Sequence, residues 1–298
     1  MGRTKLYPMV QFKKDTWEID EFNVASMFLL VGTEKAMLID TGIGIGDLRG
    51  AVEQITDKPL IVVMTHGHID HIGNARQFDE IYLNLKDACD FPHDINRRRE
   101  DARMIKIRQI DSIGSGMYTA YDLAGFDLEK DIIEPDEPMP VVHDLVDGME
   151  FDLGGGRIVK AFESPGHTKG HMMFLDEYSR SLFCGDALNY NMGIGAVSAE
   201  ETMKYLKKIA ELSDKFDGIY NGHHDFRAQG APLKDDCLKN VTALVQQLID
   251  GNYRPVVVPS FWGPASGRPP RVMLCMGRNF LGFRGLEMTP PKKREGGE

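Results

Sequence analysis

The 298-residue chain has 42% hydrophobic and 27% charged residues and a formal net charge of -10, the composition of a globular protein with a sizeable core. The acidic balance argues against nucleic acid as a partner, no apolar run reaches the roughly 20 residues that cross a bilayer, and no secretory leader pattern is visible. A small molecule is the expected partner, and four scattered cysteines without a CxxC pair (Cys89, Cys184, Cys237, Cys275) suit the cytoplasm while leaving a structural disulfide open.

In chain order, Phe28-Leu29-Leu30-Val31, the polar Gly32-Thr33-Glu34-Lys35 and Ala36-Met37-Leu38-Ile39-Asp40 read as a hairpin. Leu60-Ile61-Val62-Val63-Met64 is apolar throughout, as a strand buried on both faces must be. Residues 86–135 break the rhythm: they are charged, include Arg97-Arg98-Arg99, carry a helical pattern at 103–110 and lead into Glu134-Pro135-Asp136-Glu137-Pro138. They read as a mostly helical insertion or cap. Further strands are expected at 158–162, 172–175 and 181–184. A helix follows at 201–212, where Met203, Leu206, Ile209 and Ala210 share a face. Another is expected at Asp236–Ile249, with Leu238, Val241, Val245 and Leu248 in register and Gly251 just past the end. Val256-Val257-Val258 and Val272-Met273-Leu274-Cys275-Met276 look like added strands with no assigned partner, and they leave room for a homodimer contact. Strands and helices mixed in this way predict a layered α/β fold, a sheet pair with helices outside. The expected organisation is one domain over residues 1–285, containing the 86–135 insertion, and a polar, fraying tail over 286–298.

Three of the nine histidines crowd into Thr65-His66-Gly67-His68-Ile69-Asp70-His71, directly after the buried strand. Imidazole nitrogens and carboxylate oxygens are the ligands of a catalytic zinc. On an extended segment His66 and His68 point the same way, because side chains alternate with period two. A turn at Asp70 then sends Asp70 and His71 toward a second position nearby. A solvated loop or a satisfied core residue is the plainer reading of a single histidine. For this cluster it fails, since such a gathering at a strand end has little structural use and its uncompensated burial is costly.

The His66-x-His68-x-Asp70-His71 run resembles the His-x-His-x-Asp-His hallmark of the metallo-β-lactamase-fold hydrolase superfamily, with its glyoxalase II and lactonase members. Leu38-Ile39-Asp40-Thr41-Gly42 is similar to the family's early strand and turn, and Ser164-Pro165-Gly166-His167-Thr168-Lys169-Gly170-His171 to its Pro-Gly-His-Thr-x-Gly-His element. Phe183-Cys184-Gly185-Asp186 resembles its Gly-Asp strand end, and Tyr220-Asn221-Gly222-His223 its closing Gly-His. The resemblance covers roughly residues 22–226, and five elements in order are far more specific than any one. It implies a four-layer αββα sandwich of the metallo-β-lactamase type. It also implies two divalent metal ions, zinc by default, with iron or manganese also suited to such donors. His66, His68 and His167 are implied on the first metal, Asp70, His71 and His223 on the second, and Asp186 between both. His68 stands where the oxygen-reducing diiron members carry Glu, which favours hydrolysis over redox chemistry. Asp40 is implied to orient a ligand imidazole, with a plain turn cap as the alternative, and His171 to be structural or to support a ligand. His224 is the alternative to His223 by a one-residue register shift. Cys184 reads as a small buried strand residue, and His93 and His143 as surface residues.

Two adjacent metals can share a water and lower its pKa toward neutrality. A metal-bridging hydroxide next to Asp70 and Asp186, the expected catalytic carboxylates, is then the nucleophile, and no Gly-x-Ser-x-Gly elbow offers a protein one. The expected substrate is a small ester, thioester or lactone. Phosphodiesterase or β-lactamase chemistry is the alternative, the latter disfavoured because true β-lactamases lack this Asp. A metal-binding sensor or docking module without turnover is the alternative of another class. Substrate choice is expected from the 86–135 segment and the loops after Asp186. Tyr118, Tyr121, Tyr190 and Trp262 are candidate wall residues, with a core or surface place the plainer reading of each, and Arg97-Arg98-Arg99 is either an anion-facing run or a solvated helix face.

Overall fold

The structure is a computed structural model that describes residues 7–21, 25–90, 99–100, 103, 138–223, 227–259, 267 and 269–283. Seven strands form the first sheet in sequence order: β1 (Met9–Lys13), β2 (Thr16–Glu21), β3 (Ala25–Val31), β4 (Ala36–Ile39), β5 (Leu60–Val63), β6 (Glu80–Leu83) and β7 (Val141–Asp144). β1 to β4 pair antiparallel, the expected hairpin being β3–β4 with Val31 opposite Ala36. β4 to β7 run parallel.

The second sheet contains β8 (Glu150–Asp152), β9 (Ile158–Glu163), β10 (Met172–Asp176), β11 (Ser181–Gly185) and β13 (Gly218–Asn221), in the order β13-β11-β10-β9-β8. β11 and β13 pair in parallel, which needs a crossover. Helix α3 (Ala199–Glu211) supplies it. Ser198 caps that helix by accepting the Glu201 N–H, with Glu200 and Glu201 in the first turn and Lys208 in the last, a charge order that suits the helix dipole.

Successive strand residues face opposite ways, and here both faces are covered, so the strands read as apolar runs. Phe28, Leu30, Met37 and Ile39 point between the sheets and meet Ala161, Phe174, Phe183 and Tyr220. Leu29, Leu38 and Val62 point the other way, under α1 (Leu48–Glu53). On the far side, Met173, Leu175 and Leu182 pack against α3 and α4 (Asp236–Ile249). The four layers are therefore α, β, β, α, as expected.

The added C-terminal strands find their partner within the chain. β12 (Asn191–Ile194), β14 (Val256–Val258), β15 (Arg271–Met276) and β16 (Asn279–Phe283) form a third sheet in the order β12-β16-β15-β14. Leu274 and Leu281 seat it in the same apolar cluster as α4. These strands need no second copy to complete their pairing. Arg157 also ties distant elements: it meets Asp176 at 2.6 Å, both side chains buried, and donates to the carbonyls of Asp15 and Val31.

A 3-10 turn at Leu85–Asp90 follows β6, so the first residues of the expected insertion belong to the sandwich itself. Most of that segment, with His93, Tyr118 and Tyr121, lies outside the described residues, as do His224, Trp262 and the 284–298 tail. No described helix is long and apolar enough to cross a membrane.

Candidate metal centre

The four motif segments meet where strands end: His66 and His68 after β5, Asp70 and His71 on α2 (Ile69–Ile72), His167 between β9 and β10, Asp186 after β11 and His223 after β13. Two triads result, His66/His68/His167 and Asp70/His71/His223, and Asp186 forms a further group with His66 and His71. In each group the donor atoms lie within 4.8 Å of one another.

In the first triad His68 Nδ1 stands 3.0 Å from His66 Nε2 and 2.9 Å from His167 Nε2. Hydrogen bonds on the far side of two rings set their tautomers. His167 Nδ1 donates to Gly193 O at 2.8 Å, and His66 Nδ1 donates to Thr65 Oγ1 at 3.1 Å. Thr65 Oγ1 spends its own proton on Asp40 Oδ2 at 2.8 Å. Both Nε2 atoms therefore turn lone pairs toward His68 Nδ1, and the three ring nitrogens converge as the ligands of a cation do. In the second triad His71 Nδ1 donates to Asp40 Oδ2 at 2.8 Å. His71 Nε2 lies 4.0 Å from Asp70 Oδ1, and His223 Nε2 lies 3.7 Å from Asp70 Oδ2.

Asp186 sits between the triads. Its Oδ2 is 3.1 Å from His223 Nε2 and 3.4 Å from His167 Nε2, and its Oδ1 is 3.8 Å from His71 Nε2. Asp186 Oδ1 and His71 Nε2 are buried with no hydrogen-bond partner among the described residues. Buried polar atoms are ordinarily paired, because an orphan loses its hydration for nothing. These orphans, the facing lone pairs and the mixed imidazole and carboxylate donors fit divalent cations.

The electrostatics differ from ring to ring. Burial, then the surrounding imidazoles, push His66 well below the usual histidine range, which leaves it in the neutral form that ligates. Burial pulls His71 down as well, but Asp40 and Asp70 outweigh it and hold the ring at about 9. Burial would raise Asp186, yet His223, His167 and His71 keep it well below the carboxylate range.

His171 is no member of either triad. It donates from Nδ1 to Ser164 Oγ at 2.9 Å and accepts the Asp186 N–H on Nε2 at 3.0 Å, so it orients Asp186. Cys184 is buried with its thiol pushed well up by desolvation, as a small strand residue and not a nucleophile. Tyr190 takes the core place and not the pocket wall. It is fully buried in the α3/α4 cluster, where its hydroxyl accepts the Lys234 N–H at 2.8 Å. His143 pairs with Glu80 at 3.0 Å on the surface.

Sequence reasoning missed three groups behind the centre. Glu21 accepts the N–H groups of Ile43, Gly44 and Ile45 and so fixes the loop after Asp40. Glu18 forms a buried pair with Arg227, and Asp87 bonds to two of the ligand loops. Spacing gives no sign of such partners, because each acts across a large sequence separation or through backbone atoms. Gly222, the residue before His223, is a close approach: a Cβ there would lie 2.5 Å from His71 Cε1. Gly222→Ala is therefore expected to displace that ring, cost about 1–3 kcal/mol and lower bound metal per chain, as elemental analysis would read.

The sequence profile of the Metallo-beta-lactamase superfamily matches residues 20–223. The human protein named acyl-coenzyme A thioesterase MBLAC2 is 26% identical over 178 residues, 56% of this chain and 59% of the relative. The atrochrysone carboxyl ACP thioesterase of Aspergillus fumigatus is 33% identical over 231 residues, 75% of this chain and 54% of the relative. This chain thus spans between half and three fifths of those relatives' length. Among solved structures, a metallo-beta-lactamase from Pontibacter korlensis superposes with a TM-score of 0.53 at 16% identity, over 80% of this chain and 99% of that one, which speaks to fold alone. A family profile over more than half the chain, on the same sandwich and the same strand ends, places the protein in the metallo-beta-lactamase superfamily.

Proposed function

We propose that the protein hydrolyses acyl thioesters with two divalent metal ions, zinc by default. His66, His68 and His167 hold the first, Asp70, His71 and His223 the second, and Asp186 reaches both. The observation that carries this reading is the place of Asp186, whose two oxygens face ligand nitrogens of both triads and join seven side chains into one donor set. The thioester is preferred to other esters because two relatives are named thioesterases.

Bound there, divalent ions would supply a water acidified toward neutrality and a positive charge for the substrate carbonyl. The chain's own residues arrange the rest. Asp40 and Gly193 O each hold a histidine by Nδ1, which keeps Nε2 aimed inward. His171 holds the Asp186 backbone, so the carboxylate stays between the triads. Asp70 keeps 30% side-chain exposure and His68 is exposed, whereas His66 and His71 are buried. Substrate therefore enters over His68 and Asp70, and Asp70 is the carboxylate placed to take the proton of the attacking water.

The test combines elemental analysis with a substrate panel of acyl-coenzyme A and S-acyl thiol esters, lactones, phosphodiesters and β-lactams. Two metals per chain are expected, with thioester turnover that stops on chelation and returns with zinc. Undiminished turnover in the chelated protein would sink the proposal. So would two bound metals with every substrate untouched, an outcome that points to a sensor or docking module.

A further inference from the structure

We infer that Asp87 is a positioning residue that locks the two histidine loops of the first metal position into one rigid donor set, an assignment that rests on the metal centre proposed above. Asp87 lies in the 3-10 turn after β6, is buried, and belongs to neither triad. Its carboxylate reaches both loops at once. Oδ1 accepts the Gly170 N–H at 2.8 Å, while Oδ2 accepts the Thr168 hydroxyl and, at 3.4 Å, the Gly67 N–H. Gly67 separates His66 from His68, and Thr168 follows His167. One side chain thus grips both loops that carry the three imidazoles of that position, through two backbone N–H groups and one hydroxyl.

The turn that presents Asp87 is itself seated. Asp87 N–H donates to Asn84 O at 2.9 Å, and Leu85 N–H to Asp144 Oδ1 at 3.2 Å. Lys86 Nζ donates to Glu163 Oε1 at 2.7 Å, at the point where the His167 loop leaves β9. That loop is therefore pinned at its start through Lys86 and near its end through Asp87. The contact with the other loop is close: a Cβ on Gly67 would come within 2.3 Å of Asp87 O.

The chemistry calls for a carboxylate. Two oxygens with several lone pairs can take three donors, and a charged acceptor makes stronger bonds than a neutral one. An amide in its place would turn an NH2 group toward donors. The second metal position does not depend on this grip. Asp40 holds His71, and β13 leads directly into His223. Asp87 thus acts on one position only, which a merely structural residue would not do.

The two zinc affinities of the full chain, read by titration against a chromophoric chelator, test this. Asp87→Asn is expected to weaken one affinity by about 10–100-fold and to leave the other within about threefold. Thr168→Val, which removes one donor and keeps Asp87, is expected to shift the same affinity by a smaller factor, and it decides the matter should Asp87→Asn not fold. In a His68→Ala chain, whose first position is already broken, Asp87→Asn is expected to leave the remaining affinity unchanged. Equal weakening of both affinities, or weakening of neither, overturns the inference. If the unsubstituted chain binds no zinc, the metal-centre proposal falls and this one with it. If it binds two and both variants are indifferent, only the role of Asp87 is lost.

Discussion

Asp186→Ala is expected to lower thioester turnover by more than about 100-fold, beyond the roughly 10–100-fold typical of groups that only orient a ligand. Asp186 differs from Asp40 and His171 in where its oxygens point. Those two residues face the far sides of ligands, whereas Asp186 lies 3.1 Å from His223 Nε2, 3.4 Å from His167 Nε2 and 3.8 Å from His71 Nε2. On the proposed ligand sets, its removal strips a donor from each position at once. The chelated variant is expected to fold but to melt somewhat below the chelated parent, because His223, His167 and His71 hold the Asp186 carboxyl well below its usual range and that favourable coupling goes with it. Loss of activity and metal together, with the chelated fold intact, is the expected result. An active, metal-replete Asp186→Ala chain would remove the central element of the site.

The second large effect is on stability. Arg227→Met is expected to cost about 3–5 kcal/mol in denaturant unfolding, because it leaves the Glu18 carboxylate buried and unpaired. Arg227 forks onto Glu18 at 2.6 and 2.9 Å, with side chains 2% and 0% exposed. Its remaining N–H groups reach Asn221 Oδ1 at 2.8 Å, Ser26 Oγ at 2.9 Å and His223 O at 3.2 Å. A charge in that position cannot be rehydrated without opening the sandwich. Joining Glu18→Gln to Arg227→Met is expected to recover part of the loss, since no uncompensated charge then remains. An equal loss in the single and double variants would mean that shape, and not charge, governs the site.

How far the sequence could be read depended on whether the signal was local. Four proposed ligands lie within His66-Gly67-His68-Ile69-Asp70-His71, and α4 declared itself at its observed bounds by periodicity alone. Thr16-Trp17-Glu18-Ile19-Asp20-Glu21 gave no such sign. It is β2, buried although half its residues are acidic, because Glu18 meets a guanidinium 209 residues away and Glu21 meets backbone N–H groups. Apolar alternation could not reveal a strand whose charges are paired from such a distance. β14 and β15 were legible, but β16 and its partner β12 were not, since Asn279-Phe280-Leu281-Gly282-Phe283 and Asn191-Met192-Gly193-Ile194 are short and interrupted by glycine. Tyr190 could be read either way for a related reason: closeness to Asp186 in sequence does not fix which face an aromatic ring takes, and α4 claimed it for the core. Asp87 was hidden because its donors, the Gly67 N–H, the Thr168 hydroxyl and the Gly170 N–H, stand 20 to 83 residues away in sequence.

On the proposed ligand sets, neither half of the chain completes a metal position. His66 and His68 bring two donors to one ion, Asp70 and His71 bring two to the other, and all four come with the first sheet, between β5 and β6. His167, Asp186 and His223 come with the second sheet, across the contact in which the Phe28 and Phe183 rings stand 4.8 Å apart. A nascent chain that has formed only its first sheet therefore presents two incomplete chelates of low affinity. Ion capture waits until the sheets dock, and because it favours the native state alone it adds to stability only then. The cations would act as a checkpoint on assembly, rewarding the finished sandwich and leaving half-folded chains without a trap.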